Sequence, residues 1–217
     1  MVDLPSIDEV RGLVEAGLRT AAPGGRDRAL LLVDDGFLRL QREYRHDAET
    51  AAVVAEAVSA AEALDDADLL SAAFDLSGAG QMYLGHHGES RRIALKRTEL
   101  VPRLSDVKEI GDTYAMAAWG AHLVGFYREA EARATASVER LRGLDAGGYL
   151  HGLTWRVAAR FMLGDWEGAL ADQAELERVA NLDWARDLPA AYTMRAYAYT
   201  ALCHELRGED EEPEDDE

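Results

Sequence analysis

The side chains with the most chemical scope in this sequence fall in "GHHGES" (85–90), where His86, His87 and Glu89 are residue types that ligate metals. Adjacent histidines point in different directions, and the HExxH spacing that sets two imidazoles on one helix face is absent. His86 also stands in register with His46 and Asp165 at a turn position facing solvent, so no metal site and no cofactor are expected. Glycines recur in "DLSGAG" (75–80) and "DAGGYLHG" (145–152), but neither string matches a phosphate loop or the G-x-G-x-x-G that follows a strand. Cys203 precedes His204, and neighbours in sequence on a helix do not face each other. A small buried residue is therefore expected there rather than a nucleophile. The carboxylates lie mainly on charged faces such as "ADQAELERV" (171–179), where solvated partners three or four residues away account for them. The expectation is a protein with no catalytic centre of its own.

Composition narrows the class. The 217 residues are 48% hydrophobic and 29% charged, enough for a sizeable core. Helix formers dominate, and Val, Ile and Thr are sparse. A single cysteine excludes an intramolecular disulfide framework and fits a reducing cytoplasm. No apolar run approaches the roughly 20 residues of a membrane span, and "MVDLPSIDEV" is acidic and amphipathic, unlike a signal peptide. The net charge of −18 repels phosphate backbones, so neither nucleic acid nor membrane is an expected partner. Eight of those charges lie in "EDEEPEDDE" (209–217), expected to be a disordered, solubilising tail.

The elements that position the rest are announced by a repeat. "GFYREAEA" (125–132) and "GDWEGALA" (164–171) share a Gly, an aromatic, an acid and a small residue, with their glycines 39 apart. Steps of 40 back from Gly125 reach Gly85 and Arg45. In register, small or compact residues follow at Thr50, Ser90, Ala130 and Ala169, and Leu-Asp or Leu-Ser pairs occur at 64–65, 104–105, 144–145 and 182–183. Each unit splits into two segments with apolar residues at i, i+3, i+4, the signature of a helical hairpin. The anchor glycine falls where a helix end needs a left-handed residue. Asp145 or Ser105 is placed to cap the next helix, Asp187 before Pro189 marks another start, and Pro102 should end the helix containing "ALKRTELV". The small residue lets two helices approach closely. A lone helix over 6–21, a linker at 22–27, hairpins at about 27–64, 66–103, 106–143 and 148–182, and a closing helix at about 187–207 make ten helices over 1–208, an all-α chain. The opening half-hairpin fits a piece of a longer array; Met1 and the acidic terminus fit a complete one.

The hairpin phrase, with small residues before it in "AAWGAHL", resembles the tetratricopeptide repeat, most closely in "YAMAAWGAHLVGFYREA" and "LTWRVAARFMLGDWEGA". The period differs, near 40 residues rather than about 34. Together with "AYTMRAYAYTALCHELRGE" these segments resemble the C-terminal helical arrays of actinobacterial signalling proteins: adenylate or guanylate cyclases carrying an ATPase module, and maltose-regulator-type activators. The resemblance, over about 27–207, implies a right-handed α-solenoid of stacked hairpins. It also implies a non-catalytic, cytoplasmic interaction or regulatory module whose partner is another protein or an attached effector domain, and with which a homodimer is compatible. The alternative is a helical-repeat sensor holding a small ligand. In such arrays the first helix of each hairpin lines a concave face. Carrying over that register gives Arg39, Arg42 and Glu43, then Asp75, Met82 and Tyr83, then Asp112, Trp119 and His122, and finally Thr154, Phe161 and Met162. Of these, Arg39, Arg42, Asp75, Met82, Tyr83, Trp119, His122 and Phe161 are the expected partner-binding residues, since Trp, Tyr, Met and Arg suit binding hot spots.

Overall fold

The computed structural model describes residues 5–180 and 190–208. Over the described residues the chain is all-α, with ten helices and no strand: α1 Ile7–Thr20, α2 Arg26–Phe37, α3 Ala48–Leu64, α4 Ala67–Tyr83, α5 His87–Thr98, α6 Val107–Leu123, α7 Tyr127–Leu141, α8 Ala146–Leu163, α9 Trp166–Ala180 and α10 Ala190–Arg207. No described helix is long and apolar enough to cross a membrane. The expected Leu-Asp pair at 182–183, the Asp187–Pro189 start and the tail at 209–217 lie outside the described residues.

The ends of these helices follow from local chemistry. Ser6 and Glu9 form a reciprocal capping box at the start of α1. Asp47, Asp66 and Asp145 cap α3, α4 and α8 by accepting from backbone N–H groups three residues on. Ser105 does not cap α6. Its backbone and hydroxyl donate instead to the Asp68 carboxylate, and Asp106 accepts from the Lys108 N–H at 2.8 Å. After α5 the chain makes one 3-10 turn, Val101–Arg103, with Pro102 inside it.

The anchor glycines behave as turn residues: Gly85, Gly125 and Gly164 have φ of +78°, +82° and +78°. The first repeat departs from this. With Arg45 at its anchor, the helix instead widens into a π-turn, Leu38–Arg42, and Tyr44 takes φ +53°.

By its contacts the chain divides into two compact units, Met1–Glu109 and Ile110–Glu217. In the first, α2 packs on α1, α3 and α4, and α4 packs on α3 and α5. Its core joins Leu32, Val33, Leu40, Leu69 and Leu76 to Ala29, Ala57, Ala61 and Ala73. In the second, α8 is the hub, touching α7, α9 and α10. Alanine dominates here: Ala115, Ala118, Ala134 and Ala158 form one buried cluster with Trp155, and Ala121, Ala130 and Ala159 another. At the α7–α8 contact Gly152 is required, because a Cβ there would sit 2.9 Å from Ser137 Oγ and 3.1 Å from a Val138 methyl.

The repeated small residue is a packing residue. Thr50, Ser90, Ala130 and Ala169 are all buried, and Ala130 and Ala169 are completely so. Replacing Ala130 by Arg should cost at least the roughly 1–3 kcal/mol typical of overpacking. Chemical denaturation should show that loss, while Ala132→Arg, at an exposed position on the same helix, leaves the midpoint nearly unchanged.

Candidate functional site

The expected surface residues fare differently in the two units. In the first, the charged ones are engaged. Arg39 Nε donates to Asp35 at 3.0 Å and its Nη1 to Glu49 at 2.9 Å. Glu43 is held by Arg11 of α1, through Nε at 2.6 Å. Asp75 accepts from Arg97 at 2.7 Å. Arg97, 1% exposed, also donates to Ser71 at 2.8 Å and to Glu109 at 2.9 Å, so α4, α5 and the start of α6 meet on one buried guanidinium. Arg42 is exposed at the end of the π-turn and Met82 is half-buried. Exposed Tyr83 lies against His46, ring centroids 5.0 Å apart. These residues fasten helices together and leave little unsatisfied charge. Beside them, an apolar groove of about 420 Å³ runs along α3, lined by Leu40, Val54, Val58, Gly80 and Leu84 with His46 at its rim.

In the second unit the expected residues converge. Trp119 of α6 stacks on Trp155 of α8 at 5.2 Å and 18°. His122, three residues along α6, lies 5.8 Å from Trp155, 5.4 Å from Tyr127 and 6.1 Å from Tyr199 of α10. Phe161, near the end of α8, meets Tyr199 at 5.1 Å. Arg195 of α10 lies over Trp155 at 4.3 Å and over Trp119 at 5.9 Å. Spacings of three, four and seven residues put Trp119 with His122, Arg195 with Tyr199, and Asp112 with Trp119 on common helix faces. Trp119, His122, Phe161 and Tyr199 are half-buried, Met162 is exposed, and Trp155 and Thr154 are buried.

Polar groups orient this aromatic patch. Trp155 Nε1 donates to His151 Nε2 at 2.9 Å, so His151 carries its proton on Nδ1, the nitrogen 3.6 Å from an Asp112 oxygen. His122 Nε2 and the Tyr199 hydroxyl are 3.2 Å apart. His122 Nδ1 is buried with no partner among the described residues. Burial, and then the nearby Arg195 charge, hold the His122 pKa below the ordinary histidine value, so the ring is neutral near pH 7. Burial raises the Tyr199 phenol and lowers the Arg195 guanidinium.

Sequence reasoning named Trp119, His122 and Phe161 but missed Trp155, Tyr199 and Arg195. Trp155 stands one residue after Thr154, and the ring rather than the threonine centres the cluster. Tyr199 and Arg195 lie on the closing helix, where "YTMRAYAYT" (192–200) carries the residue types of a contact face but no hairpin register places them on one. Of the residues whose types could ligate a metal, His86 and Glu89 are engaged locally. His86 Nδ1 and Gln81 Oε1 are 3.0 Å apart, and Glu89 accepts from Arg92 at 2.8 and 2.5 Å. Cys203 is buried, which raises its thiol pKa. No protein-family model matches the chain, and no curated protein matches it in sequence.

Two measurements probe these arrangements. Arg97→Ala removes the buried guanidinium that the half-buried Asp75 and Glu109 carboxylates share, and the expected loss is about 2–3 kcal/mol by chemical denaturation. A loss below about 1 kcal/mol would mean that the network is relaxed by water. For His122, the depressed pKa means that the unfolded chain takes up a proton first as pH falls. Its contribution to stability is full above the ordinary histidine value and declines as pH drops through it. Denaturation midpoints of the wild type should therefore fall more between pH 7.5 and 5.5 than those of His122→Gln.

Proposed function

We propose that this chain is a non-catalytic protein-interaction and regulatory module of a bacterial signalling protein. It is read as a cytoplasmic, right-handed stack of tetratricopeptide-like hairpins. The observation that carries the reading is the half-buried aromatic patch of Trp119, His122, Phe161 and Tyr199. The alanine-rich core encloses one large ring, Trp155, and the other four rings lie together at the surface beside it. Clustered aromatics with an arginine match the residue types that dominate binding hot spots, and a patch of this kind marks a contact surface. A second reading, small-ligand sensing, is favoured by the groove of about 420 Å³ along α3, a volume within the range of ligand sites.

The test is a selection. Random twelve-residue peptides displayed on phage are panned against the full chain, and recovered peptides are measured in solution against wild type and Trp119→Ala. The expected result is micromolar binders that Trp119→Ala weakens by about 2 kcal/mol, roughly thirtyfold. The melting point should drop less than for a core tryptophan, whose loss costs about 3–5 kcal/mol. Failure to recover any binder, or equal affinity for the variant, rejects the reading.

A further inference from the structure

Arg195 differs from the other arginines of its unit that hold carboxylates. Arg156 grips Asp172 with two bonds of 2.8 and 2.6 Å, Arg160 reaches Asp172 at 2.9 Å and Glu131 at 3.2 Å, Arg178 holds Glu175 at 2.7 Å, and Arg207 holds Glu167 at 3.0 Å. Arg195 lies instead on the Trp155 and Trp119 rings, and no carboxylate pairs with it among the described residues. It remains solvent-exposed. A guanidinium over an aromatic face uses its flat side there and keeps its N–H donors in its own plane, where the fork fits a carboxylate with two parallel bonds. The rings also hold that fork in place, so little rotamer freedom is lost when an anion docks. On the same helix face Tyr199 leads to Phe161, 5.1 Å away, and half-buried Trp119 flanks the cation.

From this arrangement we infer that Arg195 anchors one carboxylate of a partner peptide, whose adjacent apolar or aromatic side chain lies on Trp119 and Phe161. The inference rests on the interaction reading above and specifies its partner. The rest of that partner is set by charge. A chain of net charge −18 repels a strongly acidic segment, so the anchoring acid stands in an otherwise neutral or basic stretch. His122, neutral near pH 7, adds no second cation, which points to a single carboxylate rather than a doubly charged phosphate.

The experiment uses peptides recovered on the full chain, each synthesised with its acid as Glu or Asp and again as the matching amide. Binding is followed by tryptophan fluorescence on wild type, Arg195→Gln and Arg195→Lys. The acid form should bind wild type at least about tenfold more tightly than the amide, as expected for a charge-assisted bond. On Arg195→Gln the two forms should bind equally, with Arg195→Lys between, since it keeps the charge and loses the fork. Circular dichroism confirms that each variant is folded, and the acid–amide comparison within one variant is independent of the folded fraction. Acid and amide forms that bind wild type alike, or an acid preference that survives Arg195→Gln, would overturn the inference. Peptides that lose affinity with Trp119→Ala but ignore Arg195→Gln would leave the interaction reading standing and remove this one. Phenylacetate, titrated in parallel, is the small-acid arm. Its tight, Arg195-dependent quenching without any peptide binding would assign the site to a free acid and overturn the peptide assignment.

Discussion

How closely two helices approach is the constraint from which most of this structure follows. Interaxial distances at the lower end of the usual 8–10 Å or so demand small side chains at the crossing. Ala130 and Ala134 of α7, with Gly152, Ala158 and Ala159 of α8, meet that demand by being fully or nearly fully buried. Each alanine removes little apolar area from water, so cohesion comes from many close contacts plus larger residues between the crossings, such as Leu141, Leu150, Leu153 and Val157. The same closeness leaves no interior volume for most large rings. Trp119 and Phe161 lie at the flank, where the first stacks on Trp155 and the second meets Tyr199 at a tilt.

Charge fastens helices in both units, and in the second, where Arg156 of α8 holds Asp172 of α9, aromatic rings add to it. Asp35 is shared by Arg11 and Arg39, and Arg97 joins three helical segments. Such buried networks add little net stability compared with an apolar replacement, but losing one member is costly. A slip of α5 along α4 would separate Arg97 from Ser71 and Asp75 together, so the network favours one register. In a chain whose acids outnumber its bases 41 to 23, carboxylates are in excess, and many of the arginines hold one. Against that background a guanidinium resting on two tryptophans is chemically distinct.

The two units thus use one hairpin plan for different surfaces. Arg39, Met82, Trp119 and Phe161 occupy comparable positions on successive first helices. Arg39 is closed off by Asp35 and Glu49, while Trp119 and Phe161 stay half-buried at the edge of an aromatic cluster. What the repeat holds constant is the small buried residue at the crossing and, in its last three copies, the glycine turn. What it lets vary is the face, whose residues differ in type and in partner from one repeat to the next.

The sequence alone determined the helical class, the ten helices and several of their ends. These depend on local chemistry: Gly125 and Gly164 adopt the left-handed turns their spacing implies, Asp145 caps α8, and Pro102 lies just beyond α5. Even the local rules had limits where partners come from afar. Ser105 was drawn away from its cap by Asp68, thirty-seven residues earlier. The π-turn at Leu38–Arg42 replaced the glycine turn where the anchor is Arg45. The function of individual face residues was decided only by the tertiary structure. Residue type marked Arg39, Asp75 and Trp119 alike as contact candidates, but an ion pair forms only if an opposite charge from another helix lies within reach. For Asp75 that charge is Arg97, twenty-two residues away, and for Arg39 it is Glu49 across the turn. Arg195 and Tyr199 gained their roles for the same reason, because the stack on Trp155 exists only once α10 is packed against α8. Periodicity encodes which side of a helix is apolar, whereas the partner that each polar or aromatic group meets there is a property of the packed helices together.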